Sequence, residues 1–113
     1  VRAFADLSQD HNPVHLDDAY AAGTFFKQRI AHGIYGVALI SAVIGTCLPG
    51  AGAIYLSQDT RFKAPVFIGD EITARVEVLE LNAEKKVLTL STTVRKADGS
   101  VVIEGQAKIK LFA

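Results

Sequence analysis

The sequence predicts an α+β domain, a long helix followed by an antiparallel sheet, and three observations carry that expectation. Ile34 to Leu48, IYGVALISAVIGTCL, contains no charged residue. At ~1.5 Å per residue it forms a helix roughly 22 Å long, apolar on nearly every side, and such a helix has to be buried. From Ala53 onward the apolar period switches from helical to two, the period of half-buried strands. The turn signals Gly69-Asp70 and Asp98-Gly99 divide that region into strands with short connections. Four such strands predict an antiparallel meander, and a curved sheet is the element long enough to wrap the helix.

Each element follows from its local chemistry. Val1, Phe4, Ala5 and Ser8 share one side of a first helix whose beginning lies upstream of Val1. Asn12 precedes Pro13 and is pushed out of the α region, so residues 9–15 form a rigid polar turn. Asp17 and Asp18 open a short helical run that Gly23 ends. In the first strand Ile54, Leu56, Thr60, Phe62 and Ala64 face inward, with Tyr55, Ser57, Asp59, Arg61 and Lys63 outward. Pro65 interrupts it. In the second, Ile72, Ala74, Val76 and Val78 alternate with Thr73, Arg75 and Glu77. Leu88, Leu90 and Val94 are the inner residues of a third strand, Val87 to Arg95; Val101, Ile103, Ala107, Ile109 and Leu111 are those of a fourth.

Composition excludes several functions. Twelve basic and twelve acidic side chains cancel, which removes the electrostatic argument for nucleic acid or an anionic membrane as partner. The apolar run is too short to span a bilayer, which takes ~20 residues, and His32 and Pro49-Gly50 close its ends. The lone Cys47 cannot form an intramolecular disulfide, and no secretory pattern opens the chain, so a cytoplasmic setting is expected. Cys47 reads as a small buried apolar residue.

The densest polar cluster is Asp10-His11-Asn12-Pro13-Val14-His15. One account is structural, because Asp and Asn make local turns with their own backbone. The other is chemical: a carboxylate and an imidazole on a stiff turn can position a water and move its proton. His11 and His15 are spaced i, i+4, but Pro13 between them argues against a shared helix face, and no metal is expected. Ala31-His32-Gly33 opens the apolar helix. Its first N–H groups lack intrahelical partners, and a glycine there lets a carbonyl oxygen approach, as an oxyanion hole requires. The bland alternative is that Gly33 permits close packing. Gly33, Val37, Ser41 and Ile44 share a helix face that would floor an acyl pocket.

The run Phe4 to Ala21, FADLSQDHNPVHLDDAYA, followed by Arg29-Ile30-Ala31-His32-Gly33, resembles the hydratase motif of the MaoC-like R-specific enoyl-CoA hydratases, whose fold is the hot dog. Arg61-Phe62-Lys63-Ala64-Pro65-Val66 and Gly69-Asp70 resemble a later strand and turn of that family. The resemblance implies that Asp10 and His15 are catalytic, that Asn12 shapes their loop, and that water adds reversibly and syn to trans-2-enoyl-CoA, giving (R)-3-hydroxyacyl-CoA. It also implies a homodimer, an acyl-CoA substrate, no cofactor beyond the CoA of that substrate, and a role in fatty acid metabolism or polyhydroxyalkanoate precursor supply. Lys27, Arg29, Arg61 and Lys63 are the candidate phosphate ligands. Two departures stand out. Gln9 occupies the place of a usual glycine, and residues 1–113 form a single domain without the family's amino-terminal strand. A dehydratase acting on acyl-carrier-protein thioesters would use the same residues in reverse, and a non-catalytic acyl-binding module would not need them. Thioesterases of this fold place an acid on the central helix, and Ile34 to Leu48 has none.

Overall fold

The computed structural model describes residues 1–112. Four helices, α1 (Arg2–Ser8), α2 (Pro13–Leu16), α3 (Asp18–Ala22) and α4 (Gly33–Thr46), precede four strands, β1 (Ala53–Phe62), β2 (Ile72–Asn82), β3 (Val87–Lys96) and β4 (Val101–Leu111). The strands pair antiparallel in one sheet, and α4 packs on it, chiefly against β2. This is the expected α+β arrangement of the hot dog fold.

The strand order corrects the meander. It is β1-β4-β3-β2, so only the last three strands follow one another and β1 joins the far side of β4. Pro65 and the residues around it carry the chain away from β1: Ala31 N–H donates to the Val66 carbonyl at 2.7 Å, and Ile30 bridges Phe67. That crossing ties the loop after β1 to the segment that leads into α4. The Asp98-Gly99 hairpin forms as expected, with Gly99 at φ 87.

Bulges shift which residues face the core. In β1 the register slips between Tyr55 and Ser57, leaving Leu56 as the extra residue. Tyr55 pairs with Ile109 and so shares its face of the sheet, although its ring stays exposed; Ile54 and Leu56, expected inside, are exposed as well. Beyond the bulge Gln58, Thr60 and Phe62 pair with Ala107, Gly105 and Ile103 and point toward the helix. A second slip, between Val94 and Arg95, pairs Val101 with Arg95 and buries Val102 instead. The inner face is partly polar. Thr92 is fully buried, and the Gln58 side-chain amide donates to its hydroxyl at 3.0 Å and to that of Thr60 at 2.9 Å.

The core is Ile40 and Ile44 of α4 against Leu88, Leu90, Val94, Val102, Ile103, Ala107 and Ile109. Only one face of α4 is sealed. Ile34 is 60% exposed and Tyr35 38%, and Cys47, expected to be buried, is exposed at the helix end. The uncharged run predicts cover on every side; within one chain the sheet supplies it on one. Among the described residues no helix is long and apolar enough to cross a membrane.

Candidate active site

The loop between α1 and α2 is built by short polar side chains. Ser8 Oγ accepts Asp10 N–H at 3.2 Å, Asp10 Oδ1 accepts Asn12 N–H at 3.2 Å, and Asn12 Oδ1 accepts Val14 N–H at 3.1 Å. The last bond makes Asn12 the cap of α2 with Pro13 in its first position, so the expected rigid turn is half loop and half helical turn. Proline starts a helix without loss because its missing N–H would have had no partner there. His15 consequently projects from α2 and is buried, while His11 faces outward beside Asp6 at 3.4 Å.

Gln9, just before the loop, stands at φ 64, a left-handed helix end that favours glycine. A side chain there is strained by about 1 kcal/mol. Gln9→Gly should therefore raise unfolding stability by about that amount, read as a higher urea midpoint with the loop unchanged; a lower midpoint would show that the Gln9 side chain contributes more than its backbone costs.

The polar groups of the loop meet those at the start of α4. His15 Nδ1–H donates to the Ile30 carbonyl at 2.8 Å, which leaves its Nε2 as the lone-pair nitrogen. His32 stacks on His15 with ring centroids 3.8 Å apart and an interplanar angle of 26°. Ligand-capable atoms of Asp10, His15 and His32 all lie within 4.8 Å of one another. Two hydrogen bonds of ~2.8 Å from a single water span about 4.6 Å, so a carboxylate and an imidazole at this separation can share one water. One nitrogen of each ring is already engaged with a backbone carbonyl.

Gly33 is the first residue of α4, and its N–H has no acceptor within the helix. The Phe62 ring lies where a side chain would be: a Cβ on Gly33 would come within 2.8 Å of it. His32, Gly33, Gly36 and Phe62 line a cavity of about 330 Å³ together with Lys63 and apolar residues that include Phe26, Val66 and Ile103.

The expected acyl floor is only partly placed there. Gly33 lines the cavity, but Val37, Ser41 and Ile44 do not; Ser41 is exposed and Ile44 is closed into the core. The reason is helical phase. The face turned to the sheet runs Gly36, Ile40, Ile44, and the space opens where the two glycines lack side chains. Of the four candidate phosphate ligands, Lys63 borders the cavity, and it pairs with Glu104 at 3.4 Å. Arg61 lies on the outer sheet face in a polar groove with Asp59 and Glu104. Arg29 is engaged by Asp18 at 2.8 Å and by the His15 carbonyl at 3.3 Å, and Lys27 is exposed.

Sequence reasoning missed His32 and Phe62 as site residues. A histidine directly before the helix-opening glycine was the available signal for the first; Phe62 reads as core, because a strand-end ring cannot be placed over a distant glycine without the topology.

Residues 1–100 match the profile of a family described as MaoC like domain. The chain is 56% identical over 113 residues to an (R)-specific enoyl-CoA hydratase of Rhodospirillum rubrum, covering 100% of this chain and 78% of that one. It is 49% identical over 111 residues to the protein of the same name from Aeromonas caviae, covering 98% and 83%. The solved structure of an (R)-hydratase from A. caviae involved in PHA biosynthesis superposes with a TM-score of 0.94 at 49% identity, covering 98% of this chain and 84% of that one.

Proposed function

The chain belongs to the MaoC-like family, and from that premise we propose that it is an (R)-specific enoyl-CoA hydratase, adding water reversibly to trans-2-enoyl-CoA to give (R)-3-hydroxyacyl-CoA. The observation that carries the proposal is the convergence of Asp10 and His15 within 4.8 Å of each other and of His32; His32 and Gly33 line the apolar cavity, which Asp10 and His15 adjoin through His32 without lining it. Identity of 49% and 56% to proteins named for CoA substrates favours CoA over a carrier protein.

In the proposed reaction Asp10 and His15 hold one water. Asp10 takes a proton from it as its oxygen bonds to C3, and His15 Nε2 accepts the second hydrogen bond and orients the attack. The C2–C3 π electrons move toward the thioester, whose carbonyl oxygen gathers negative charge against the Gly33 N–H and the positive end of α4. The proton then passes from Asp10 to C2. Both groups act from the side of the bound water, so addition is syn. No atom is left over, and the scheme needs no dissociable cofactor or metal.

The apolar surface left open on Ile34 and Tyr35 of α4, on Ile54 and Leu56 of β1 and on Leu79 and Leu81 of β2 supports a homodimer. A single-chain mass by light scattering at micromolar concentration would count against it. A cytoplasmic setting accords with the unpaired Cys47. The activity is tested by following the loss of enoyl absorbance when the purified protein meets crotonyl-CoA and by assigning the chirality of the product. Hydration to the R product is expected; no turnover, or the S product, overturns the proposal.

A further inference from the structure

We infer that His32 is a positioning residue which fixes the distance between the Asp10–His15 pair and the Gly33 amide. The inference rests on the proposed roles of those three residues, and it assigns His32 none of the chemistry.

His32 stands at the residue that precedes α4, directly before Gly33, and is 4% exposed. Its Nε2 lies 2.9 Å from the backbone carbonyl of Asp10. A carbonyl oxygen only accepts, so Nε2 carries the proton and donates. The same ring stacks on His15 and packs against Phe4 of α1, with centroids 4.9 Å apart. One buried side chain therefore touches the first helix, the acid-bearing loop and the imidazole of the proposed pair.

Two observations separate this role from simple filling of the core. With Nε2 donating, the lone pair of His32 sits on Nδ1, which is buried and has no hydrogen-bond partner among the described residues. An unmatched buried acceptor is a cost that phenylalanine at this position would not carry. What histidine supplies and phenylalanine does not is the N–H on Asp10. The second observation is where Asp10 is otherwise held. Its other bonds, to Ser8 Oγ and from Asn12 N–H, reach only two residues along the chain and measure 3.2 Å. Among the described residues the His32 bond alone ties Asp10 to an element 22 residues away, and that element is the helix that presents Gly33.

The water attacks C3 from the loop while the carbonyl two bonds further along is held at the helix, so the spacing of the two elements sets the geometry of attack. A misplacement of ~1 Å in such an arrangement costs on the order of 10²-fold in rate.

Two variants test the inference. His32→Phe keeps a ring of similar size against His15 and loses the donor; His32→Gln loses the ring and places an amide N–H at similar reach. His32→Phe is expected to lower kcat for crotonyl-CoA about 10- to 100-fold with KM changed less than about threefold. His32→Gln is expected to recover much of kcat, although it is the less stable variant by thermal unfolding. Retention of kcat by His32→Phe, or losses of kcat that merely follow stability across both variants, overturns the inference. The wild type is assayed alongside: an inactive wild type rejects the hydratase reading, whereas an active one lets the kcat ratios bear on His32 alone. The ¹⁵N spectrum of the unmodified protein decides the tether apart from turnover: His32 as the Nε2–H tautomer supports it, and the Nδ1–H tautomer overturns it.

Discussion

Asp10→Asn is expected to lower kcat for crotonyl-CoA hydration by about 10³-fold while leaving the melting temperature nearly unchanged, since positioned acid–base groups contribute ~10²–10⁴ to rate. The substitution is close to isosteric. Asp10 is exposed, and an asparagine retains the Oδ1 that accepts Asn12 N–H at 3.2 Å, so the loop and the α2 cap survive. The backbone carbonyl that accepts from His32 is untouched. What disappears is the ability to take a proton from water and return it to carbon. His15→Ala should also suppress turnover, but it isolates the chemistry less well. His15 is 8% exposed, bonds to the Ile30 carbonyl and stacks on His32, so its removal also disturbs packing. Turnover of Asp10→Asn within tenfold of the wild type, in steady-state assays matched for folded protein, would remove Asp10 from the reaction.

The Asp10-His15 segment was legible because its constraints are local. Proline after Asn12, a capping side chain and a short polar loop shape the turn that carries those side chains, and the bonds to the Ile30 carbonyl and from His32 then hold it against the start of α4. The long helix and the strands were legible for a related reason, since the period of apolar residues is a property of the backbone itself. What a period cannot show is where it breaks. Leu56 and Val102 are bulge residues, and one extra residue reverses the alternation between the two sides of a bulge, which is why Ile54 and Val101, ahead of the bulges, lose the inner face that Thr60, Phe62 and Ile103, beyond them, keep. Likewise an uncharged helix announces that it must be covered and says nothing of what covers it; Ile34 and Tyr35 remain open in the single chain. His32 escaped because its role depends on a bond to a residue 22 positions away.

Gly105→Ala is expected to destabilise the fold by about 3 kcal/mol or more, a value at the upper end for an overpacked site. Gly105 sits in the interior of β4, between Thr60 of β1 on one side and Thr92 of β3 on the other. A methyl group added there would run into the carbonyl oxygen of Asp59, come within 2.8 Å of its carbonyl carbon and lie 3.0 Å from Thr60 Cα. These are backbone atoms of the adjoining strand and cannot rotate aside. Gly36 offers the contrast. A methyl there meets the flexible end of the Ile103 side chain, which can change rotamer, so Gly36→Ala should cost less. The only relief open to Gly105→Ala is separation of β1 from β4. Because β1 carries Phe62 to its place over Gly33, that separation would also loosen the cavity. A glycine inside an alternating strand signals a close backbone approach, and here the approach joins the edge strand to the rest of the sheet. Urea unfolding of both variants measures the difference, and equal midpoints for Gly105→Ala and the wild type would show that β1 packs on β4 less closely than the structure has it.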